Sequence, residues 1–213
     1  MDLRAPQWLP PLLSLCLLLC QAPGSAAEFE SNPCEIETAY ADLNATELLN
    51  AARQGHASAQ YSLALSYDEG SDGFKQSVKE SAHWYQQAAE QGHACAQFNL
   101  AVAYDEGSGV KQDEEKAFYW YSLSAEQGDS DAQYNLALCY ELGTGTAKDN
   151  AKALAWYRKS ADQDDPDAQF EVGNFYAQGI AVTQDDKQAE QWYRQAAEQG
   201  HEGAAEALQA LAD

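Results

Sequence analysis

The sequence predicts an all-α fold, an α/α solenoid of about four 36-residue helix-turn-helix repeats with a half-repeat at each end. Two observations carry this prediction. Four tryptophans recur at intervals of 36 residues, each followed by a tyrosine, and they are Trp84, Trp120, Trp156 and Trp192. A second set of tyrosines recurs upstream at nearly the same interval, namely Tyr67, Tyr104, Tyr140 and Tyr176. One helical hairpin cannot bury both of its faces, so repeats of this length stack into a solenoid.

The first helix of each unit shows a helical pattern of small and apolar residues. In the second unit, Ala96, Leu100 and Tyr104 fall on one face at about 100° per residue, which is the face that packs. Gly107 then ends the helix and turns the chain. Because Tyr104 lies on the packing face, we predict that it and its three counterparts are core residues.

The second helix of each unit begins at a good N-cap residue. Asp113 occupies this position in the second unit, and its counterparts are Ser77, Asp149 and Asp185. The helix carries the tryptophan toward the first helix. Burying one tryptophan removes about 150–250 Å² from water, so we predict that the four repeated tryptophans are core residues rather than ligand contacts.

The two ends of the repeat array read as half-repeats. "NATELLNAARQG" resembles a lone second helix in which Asn44 and Glu47 form a capping pair, and "HEGAAEALQALAD" resembles a lone first helix. We therefore divide the chain into a leader, an acidic extension and a solenoid, at residues 1–27, 28–44 and 45–213. The repeats are assigned to 56–92, 93–128, 129–164 and 165–200, followed by a capping helix at 201–213.

The N-terminus has the pattern of a secretory signal peptide. A weakly basic start precedes an apolar run from Leu9 to Cys20 and then small residues, with cleavage expected after Ala26 or Ala27. The run is shorter than the roughly 20 apolar residues that a transmembrane helix needs. Two alternatives are a buried core helix and a lipoprotein acylated at Cys20. We expect an exported bacterial protein, periplasmic or secreted; in a eukaryotic secretory pathway Asn44 of "NAT" would be a glycan acceptor.

The net charge restricts the partners of the protein. The formal charge is −22 at pH 7, and removing residues 1–27 leaves it unchanged because that segment holds one base and one acid. Such a surface repels nucleic acid and anionic membranes. A requirement for solubility, a cationic partner or a salty habitat would each account for the strongly negative charge. We expect a protein or peptide partner with basic residues, no nucleic acid, no membrane insertion and no cofactor.

Three cysteines follow the leader, Cys34, Cys95 and Cys139. They are too few for a disulfide framework, and their spacing matches no metal motif. Cys139 takes a position filled by Ser66, Ala103 and Phe175 in the other repeats, so we interpret it as a small buried thiol. Cys95 lies near the start of its helix and Cys139 near the end of the next. If a disulfide forms, the expected pair is Cys34–Cys95.

Two stretches carry a family resemblance. "DAQYNLALCYELGTG" (131–145) followed by "AKALAWYRKSADQ" (151–163) resembles the Sel-one-like repeat (SLR) family, relatives of tetratricopeptide repeats. The family pattern is met four times and covers about 150 of the 213 residues. The usual glycine after leucine is alanine in three repeats, with Gly173 the exception. The resemblance implies a right-handed superhelical scaffold that binds other proteins, and export as in many bacterial members.

One face of the first helices points away from the packing face. By the resemblance, this face lines a concave groove in which asparagine at the sixth helix position contacts peptide backbone, and Asn99 and Asn135 match that position. The candidate residues on this face are Ser62, Leu65, Asn99, Val102, Glu106, Asn135, Leu138, Glu141, Glu171 and Asn174. They suit an extended or helical segment that carries Lys or Arg. The alternative is that the aliphatic residues pack between neighbouring first helices and the acids only solvate the rim.

The enzymatic alternative is a β-lactamase-like or cell-wall-related hydrolase, as described for some exported SLR relatives. Ser108 and Lys111 match Ser-x-x-Lys, but that motif acts when the serine opens a helix, and here it spans a loop. The companion motifs and the paired cysteines of those relatives are absent. His56, His93 and His201 each follow a turn glycine, and equivalent positions in stacked repeats lie too far apart to share one ion. We therefore expect no catalytic residue and no metal site.

Overall fold

The computed structural model describes Tyr40 and residues 43–212, which form ten α-helices and no strand. The predicted leader and most of the predicted acidic extension lie outside the described residues. The helices are α1 (Ala45–Arg53), α2 (Ala57–Glu69), α3 (Val78–Ala89), α4 (Ala94–Glu106), α5 (Glu114–Glu126), α6 (Ser130–Leu142), α7 (Asn150–Ala161), α8 (Pro166–Gln178), α9 (Asp186–Glu198) and α10 (Glu202–Ala212).

The helices stack as a linear array of hairpins. Each first helix packs against the second helix of its own repeat, in the pairs α2–α3, α4–α5, α6–α7 and α8–α9. Each second helix also packs against the first helix that follows it, and α1 and α10 cover the two ends as half-repeats. The chain therefore forms the predicted all-α solenoid, in which every repeat is held by its neighbours.

The predicted caps are present at the ends of the repeated helices. The second helices begin after Ser77, Asp113, Asp149 and Asp185, and each of these side chains accepts a hydrogen bond from a backbone N–H. Asn44 and Glu47 form a capping box at α1. The first helices end at Gly70, Gly107, Gly143 and Gly179, whose φ values lie between 67° and 82°. This left-handed region is strained for other residues, which is why glycine recurs there.

The tyrosine after each tryptophan lies deeper than the tryptophan itself. Tyr85, Tyr121, Tyr157 and Tyr193 are buried, whereas Trp120 is buried and the other three repeated tryptophans are half-buried. Trp84 and Trp156 each pack against two hydrophobic clusters that succeed one another along the solenoid. A tryptophan at such a junction packs against both clusters and stays partly exposed. The upstream tyrosines, at positions 67, 104, 140 and 176, are also half-buried and pack against these clusters.

A buried glutamine in each first helix joins three helices by hydrogen bonds. In α4, Gln97 Nε2 donates to the carbonyl oxygen of Ala89 in α3 at 3.1 Å, and Gln97 Oε1 accepts from Gln127 Nε2, just after α5, at 2.7 Å. The same two bonds recur at Gln60, Gln133 and Gln169. Each glutamine adds a second donor to a carbonyl oxygen near a helix end that also accepts a backbone N–H, as Ala89 does from Gly92. We call this set of four the glutamine ladder.

The exceptional glycine of the fourth repeat has a packing reason. Gly173 lies within α8, at the position where the other first helices carry alanine. A Cβ atom on Gly173 would lie 2.6 Å from two ring atoms of Tyr193 in α9. The ring of Tyr193 therefore takes the space that an alanine methyl group would need.

Candidate binding face on the first helices

The candidate residues lie along α2, α4, α6 and α8, on a surface that we call the first-helix face. Most of them are half-buried, and Glu106 is exposed. Leu65 and Val102 pack against the core cluster that contains Leu100. These two aliphatic side chains therefore contribute to packing between repeats, in agreement with the alternative predicted for the aliphatic residues.

The structure brings three of the candidates into one small pocket. Asn99, Val102 and Glu106 of α4 line a cavity of about 80 Å³ together with Asp68 of α2 and Tyr85 of α3. The pocket lies at the junction of the first and second repeats. Its volume matches a single side chain, and its walls offer an apolar contact, an amide, a phenol and two carboxylates.

A wider and more open cleft lies further along the first-helix face. It has a volume of about 470 Å³ and is lined by Asn135, Tyr134 and Asp131 of α6 and by Asp165 and Asp167 at the start of α8, among others. Asn99 and Asn135, which the resemblance assigned to one role, thus lie in two separate depressions.

Buried tyrosines of the second helices hold side chains of the first-helix face. The hydroxyl of Tyr157 in α7 donates to Glu141 Oε2 at 2.9 Å, and the hydroxyl of Tyr193 in α9 donates to Asn174 Oδ1 at 2.8 Å. Burial, reinforced by the nearby carboxylates, raises the pKa of both phenols. They stay neutral donors at physiological pH. Sequence reasoning assigned no role at this face to these tyrosines, although their regular place after tryptophan was the available signal.

Carboxyl groups of the third and fourth repeats lie close to one another on this face. Partial burial, aided by the negative charges of Glu141 and Asp167, raises the pKa of Glu171, while a hydrogen bond from Asn174 opposes the shift. Partial burial and the charge of Asp165 likewise raise the pKa of Asp131. A mutual repulsion of this kind is relieved by a cation placed between the carboxylates.

The four first helices carry acids but no bases. The sequences of α2, α4, α6 and α8 contain no Lys or Arg, and their acids are Asp68, Glu69, Asp105, Glu106, Asp131, Glu141, Asp167 and Glu171. All 11 Lys and Arg residues that follow the predicted leader lie outside these four helices, in α1, the second helices and the loops. The first-helix face is therefore the more negative side of an acidic protein.

One apolar side chain stands out at the end of α6. Leu142 is 63% exposed, the highest value among the exposed large hydrophobic residues of the described chain. The equivalent positions in the other repeats are Glu69, Glu106 and Gln178. Leu142 is the thirteenth residue of α6, a position that the helical pattern of the sequence predicts to point away from the packing face.

The sequence motifs for other chemistry lie apart from this face. Ser108 and Lys111 occupy the turn between α4 and α5, and Lys111 is exposed, so the hydrolase alternative gains no support. His93 and His201 are N-caps whose Nδ1 atoms accept backbone N–H bonds, and His56 occupies the N-cap position of α2. Within residues 40 and 43–212, no group of three His, Cys, Asp or Glu side chains is arranged for a metal ion. In the same part of the chain, no helix is long and apolar enough to cross a bilayer.

The two cysteines of the described chain differ in state. Cys95 is disulfide-bonded, and Cys139 is a free buried thiol, as expected for a small core residue. Burial raises the pKa of the Cys139 thiol to about 12, which keeps it unreactive. The predicted partner of Cys95, Cys34, lies outside the described residues, so the Cys34–Cys95 pair stays a prediction.

The four repeats match a known repeat family. The family model of the Sel1 repeat matches residues 57–93, 96–129, 130–165 and 166–201, which together make up more than half of the chain. The chain belongs to the Sel1 repeat family. Sel1 repeat proteins are generally scaffolds for protein–protein interaction. No curated protein matches the chain.

Two solved structures resemble this Sel1 repeat chain over most of its length. A protective antigen of uropathogenic Escherichia coli strains, which displays an SLR fold, is 36% identical with a TM-score of 0.71, and the match covers 75% of this chain and 34% of that one. A Sel1 repeat protein from Oxalobacter formigenes is 36% identical with a TM-score of 0.72, and the match covers 76% of this chain and 67% of that one. The chain thus spans about a third of the first of these proteins.

Proposed function

We propose that this Sel1 repeat protein is an exported scaffold that binds a basic polypeptide segment along its first-helix face. The observation that carries the proposal is the charge distribution, because the four first helices, α2, α4, α6 and α8, together hold eight acids and no base. Opposite charge steers a Lys- or Arg-containing segment toward such a surface and discourages acidic competitors. Export rests on the signal-peptide pattern of residues 1–27.

The small pocket supplies a site for one basic side chain. The methylene stem of Lys or Arg would contact Val102, and the charged end would lie near Asp68 and Glu106. Asn99 in the same pocket offers an amide for the backbone of the bound segment. The open cleft beyond it, with Asp131 and Asp167, extends the same chemistry along the solenoid.

The test compares two pairs of charge removals in the mature chain, residues 28–213. The first pair, Glu106→Gln with Glu141→Gln, lies on the first-helix face. The second pair, Glu115→Gln with Glu126→Gln, removes the same charge from exposed positions of α5. The probe is a 12-residue synthetic peptide (about 40 Å when extended) of alternating Lys and Leu, measured by calorimetry at fixed salt.

We expect the face pair to weaken peptide binding by roughly tenfold or more and the α5 pair to change it by about twofold or less. Equal weakening by both pairs would mean that the peptide senses only the net charge. That result, or binding that neither pair affects, would overturn the assignment of the face.

A further inference from the structure

The pocket of about 80 Å³ between the first two repeats is lined by side chains that are small at their positions in the repeat. Its walls include Ala82 of α3 and both Val102 and Ala103 of α4. The equivalent positions between the second and third repeats carry larger side chains, namely Phe118, Leu138 and Cys139. Two of the three positions are again larger between the third and fourth repeats, with Leu154 and Phe175. The opening is therefore a property of the first junction and not of the repeat in general.

An acid that is shorter by one methylene group contributes to the same opening. In the third repeat, Glu141 accepts the hydroxyl hydrogen bond of Tyr157 at 2.9 Å. The equivalent pair in the first repeat is Asp68 and Tyr85, and here the side-chain hydrogen bond of the phenol is with Ser81 of its own helix. Burial raises the pKa of Tyr85, and the nearby charge of Asp68 raises it further. A carboxylate and a buried phenol thus line one pocket without bonding to each other.

The polar groups of this pocket match the end of a lysine side chain. Asp68 and Glu106 are exposed at its edge, whereas Tyr85 is only 4% exposed and lies at its inner wall. An ammonium group has three N–H donors and no acceptor. The two carboxylates, the phenol oxygen and the amide oxygen of Asn99 are acceptors for such donors. Val102 supplies an apolar contact for the methylene groups next to the charge.

The volume of the pocket distinguishes lysine from arginine. A water-sized group takes about 30 Å³, so a cavity of about 80 Å³ accommodates two or three heavy atoms. An ammonium nitrogen with one or two methylene groups fits this space. The guanidinium group of arginine is a rigid plane of four heavy atoms, and it is too large to enter fully.

We propose that this pocket, which we call the lysine pocket, selects a lysine of the bound polypeptide by holding its ammonium group between Asp68 and Tyr85. This inference rests on the proposed function, because it names the side chain that the bound segment inserts into the first-helix face. The open cleft of about 470 Å³ further along the face has room for either base. One position of the partner is therefore restricted to lysine, and the others need only be basic.

Two substitutions close the lysine pocket without changing the charge of the protein. Asp68→Glu adds the methylene group that lets Glu141 reach Tyr157 in the third repeat. Val102→Leu introduces the larger residue that the third repeat carries, and it closes the pocket from another wall. Asp186→Glu adds the same methylene group at an exposed position of α9 and is the matched control. Circular dichroism identifies the variants that keep the helical fold, and either closing variant alone suffices.

The probes are the peptide of alternating Lys and Leu and its counterpart with Arg in place of every Lys, measured by calorimetry at the same salt. The wild type and Asp186→Glu should bind the Lys peptide about fivefold or more tightly than the Arg peptide. Asp68→Glu and Val102→Leu should each reduce this preference to about twofold or less, through weaker binding of the Lys peptide.

Equal affinity of the wild type for the two peptides would overturn the lysine pocket, and so would a preference that survives in the closing variants. Both results leave the proposed function standing, because the peptides still bind. Failure of both peptides to bind would overturn the proposed function. The pocket is then judged with Nα-acetyl-lysine methylamide, which should shift the NMR signals of the Val102 methyl groups in the wild type but not in Asp68→Glu. If this probe shifts neither, the lysine pocket is also wrong.

Discussion

The hydroxyl of Tyr157 donates a 2.9 Å hydrogen bond to Glu141 Oε2. A core residue of α7 thereby holds in place an acid of the face that we propose as the binding surface. Tyr193 does the same for Asn174 in the next repeat. Core side chains therefore help to position the side chains of the first-helix face. A substitution in the core should then change peptide binding at that face.

Tyr157→Phe tests this link, because it keeps the ring and removes the hydroxyl. We expect a loss of about 1 kcal/mol in the free energy of unfolding, measured by urea denaturation, and weaker binding of the basic peptide because Glu141 loses its support. Tyr193→Phe is the matched control, since it should cost similar stability while leaving Glu141 held. Unchanged peptide binding in Tyr157→Phe would show that the hydrogen bond from Tyr157 to Glu141 does not affect the binding face.

Gly173→Ala should be destabilising although alanine is the residue used by the other three repeats. The added methyl would lie 2.6 Å from the ring of Tyr193, so we expect a loss of about 1–3 kcal/mol from overpacking. The measurement is the urea midpoint at constant m-value. The reverse change in the third repeat, Ala137→Gly, should lose only about 1 kcal/mol through backbone entropy. A gain in stability for Gly173→Ala would show that Tyr193 can shift freely.

Gln97→Leu removes one member of the glutamine ladder at nearly constant volume. It leaves the carbonyl oxygen of Ala89 and the side chain of Gln127 without their shared partner. We expect a loss of about 1–3 kcal/mol, because the buried side chain loses two hydrogen bonds while the Ala89 carbonyl keeps the N–H of Gly92 as a partner. Gln195→Leu, at an exposed position of α9, should change stability by less than about 0.5 kcal/mol. If the two variants lost similar amounts of unfolding free energy, the glutamine ladder would not contribute to the stability of the fold.

Asp129 should make the protein more stable in mild acid. It is the N-cap of α6 and only 1% exposed, and burial raises its pKa to about 6 from an ordinary value of 3.8. The folded state therefore binds a proton more tightly than the unfolded state, and stability falls as the pH rises from about 4 to about 6. The raised pKa corresponds to a decrease of about 3 kcal/mol in the free energy of unfolding once the pH is above about 6.

Asp129→Asn isolates this contribution. Asparagine is also a good N-cap and cannot ionise, so the variant should show a flatter dependence of unfolding free energy on pH between 4 and 7 than the wild type. The same change at Asp165, the half-buried cap of α8, is the control for the loss of one negative charge. If the unfolding free energy of Asp129→Asn depended on pH as the wild type does, a group other than Asp129 would cause the pH dependence.

The repeated features of the fold were predictable from the sequence because each depends on local rules. Asp113 and Gly107 cap helices through their own backbone and side chain, and the 36-residue period places their counterparts. The pairing of helices followed from the same period. The position of Asn99 and Asn135 on one helical face was likewise a matter of counting residues.

The contacts between helices were not predictable in the same way. The bond from Tyr157 to Glu141, the ladder through Gln97 and the burial of Cys95 depend on how neighbouring helices are rotated and spaced. The recurring Ala-Gln pair and the Trp-Tyr pair signalled that something is repeated there, but periodicity does not say which atom a side chain reaches. The separation of bases from the first helices became visible once the helix bounds were known.

The glutamine ladder also bears on how such a chain can change its length. Each repeat offers a carbonyl oxygen to the repeat after it and brings its own pair of glutamines to meet the repeat before it. The two ends of one repeat are therefore chemically complementary. A gene duplication or deletion of 36 codons would join an end to its usual counterpart, and the new junction would inherit a complete set of hydrogen bonds.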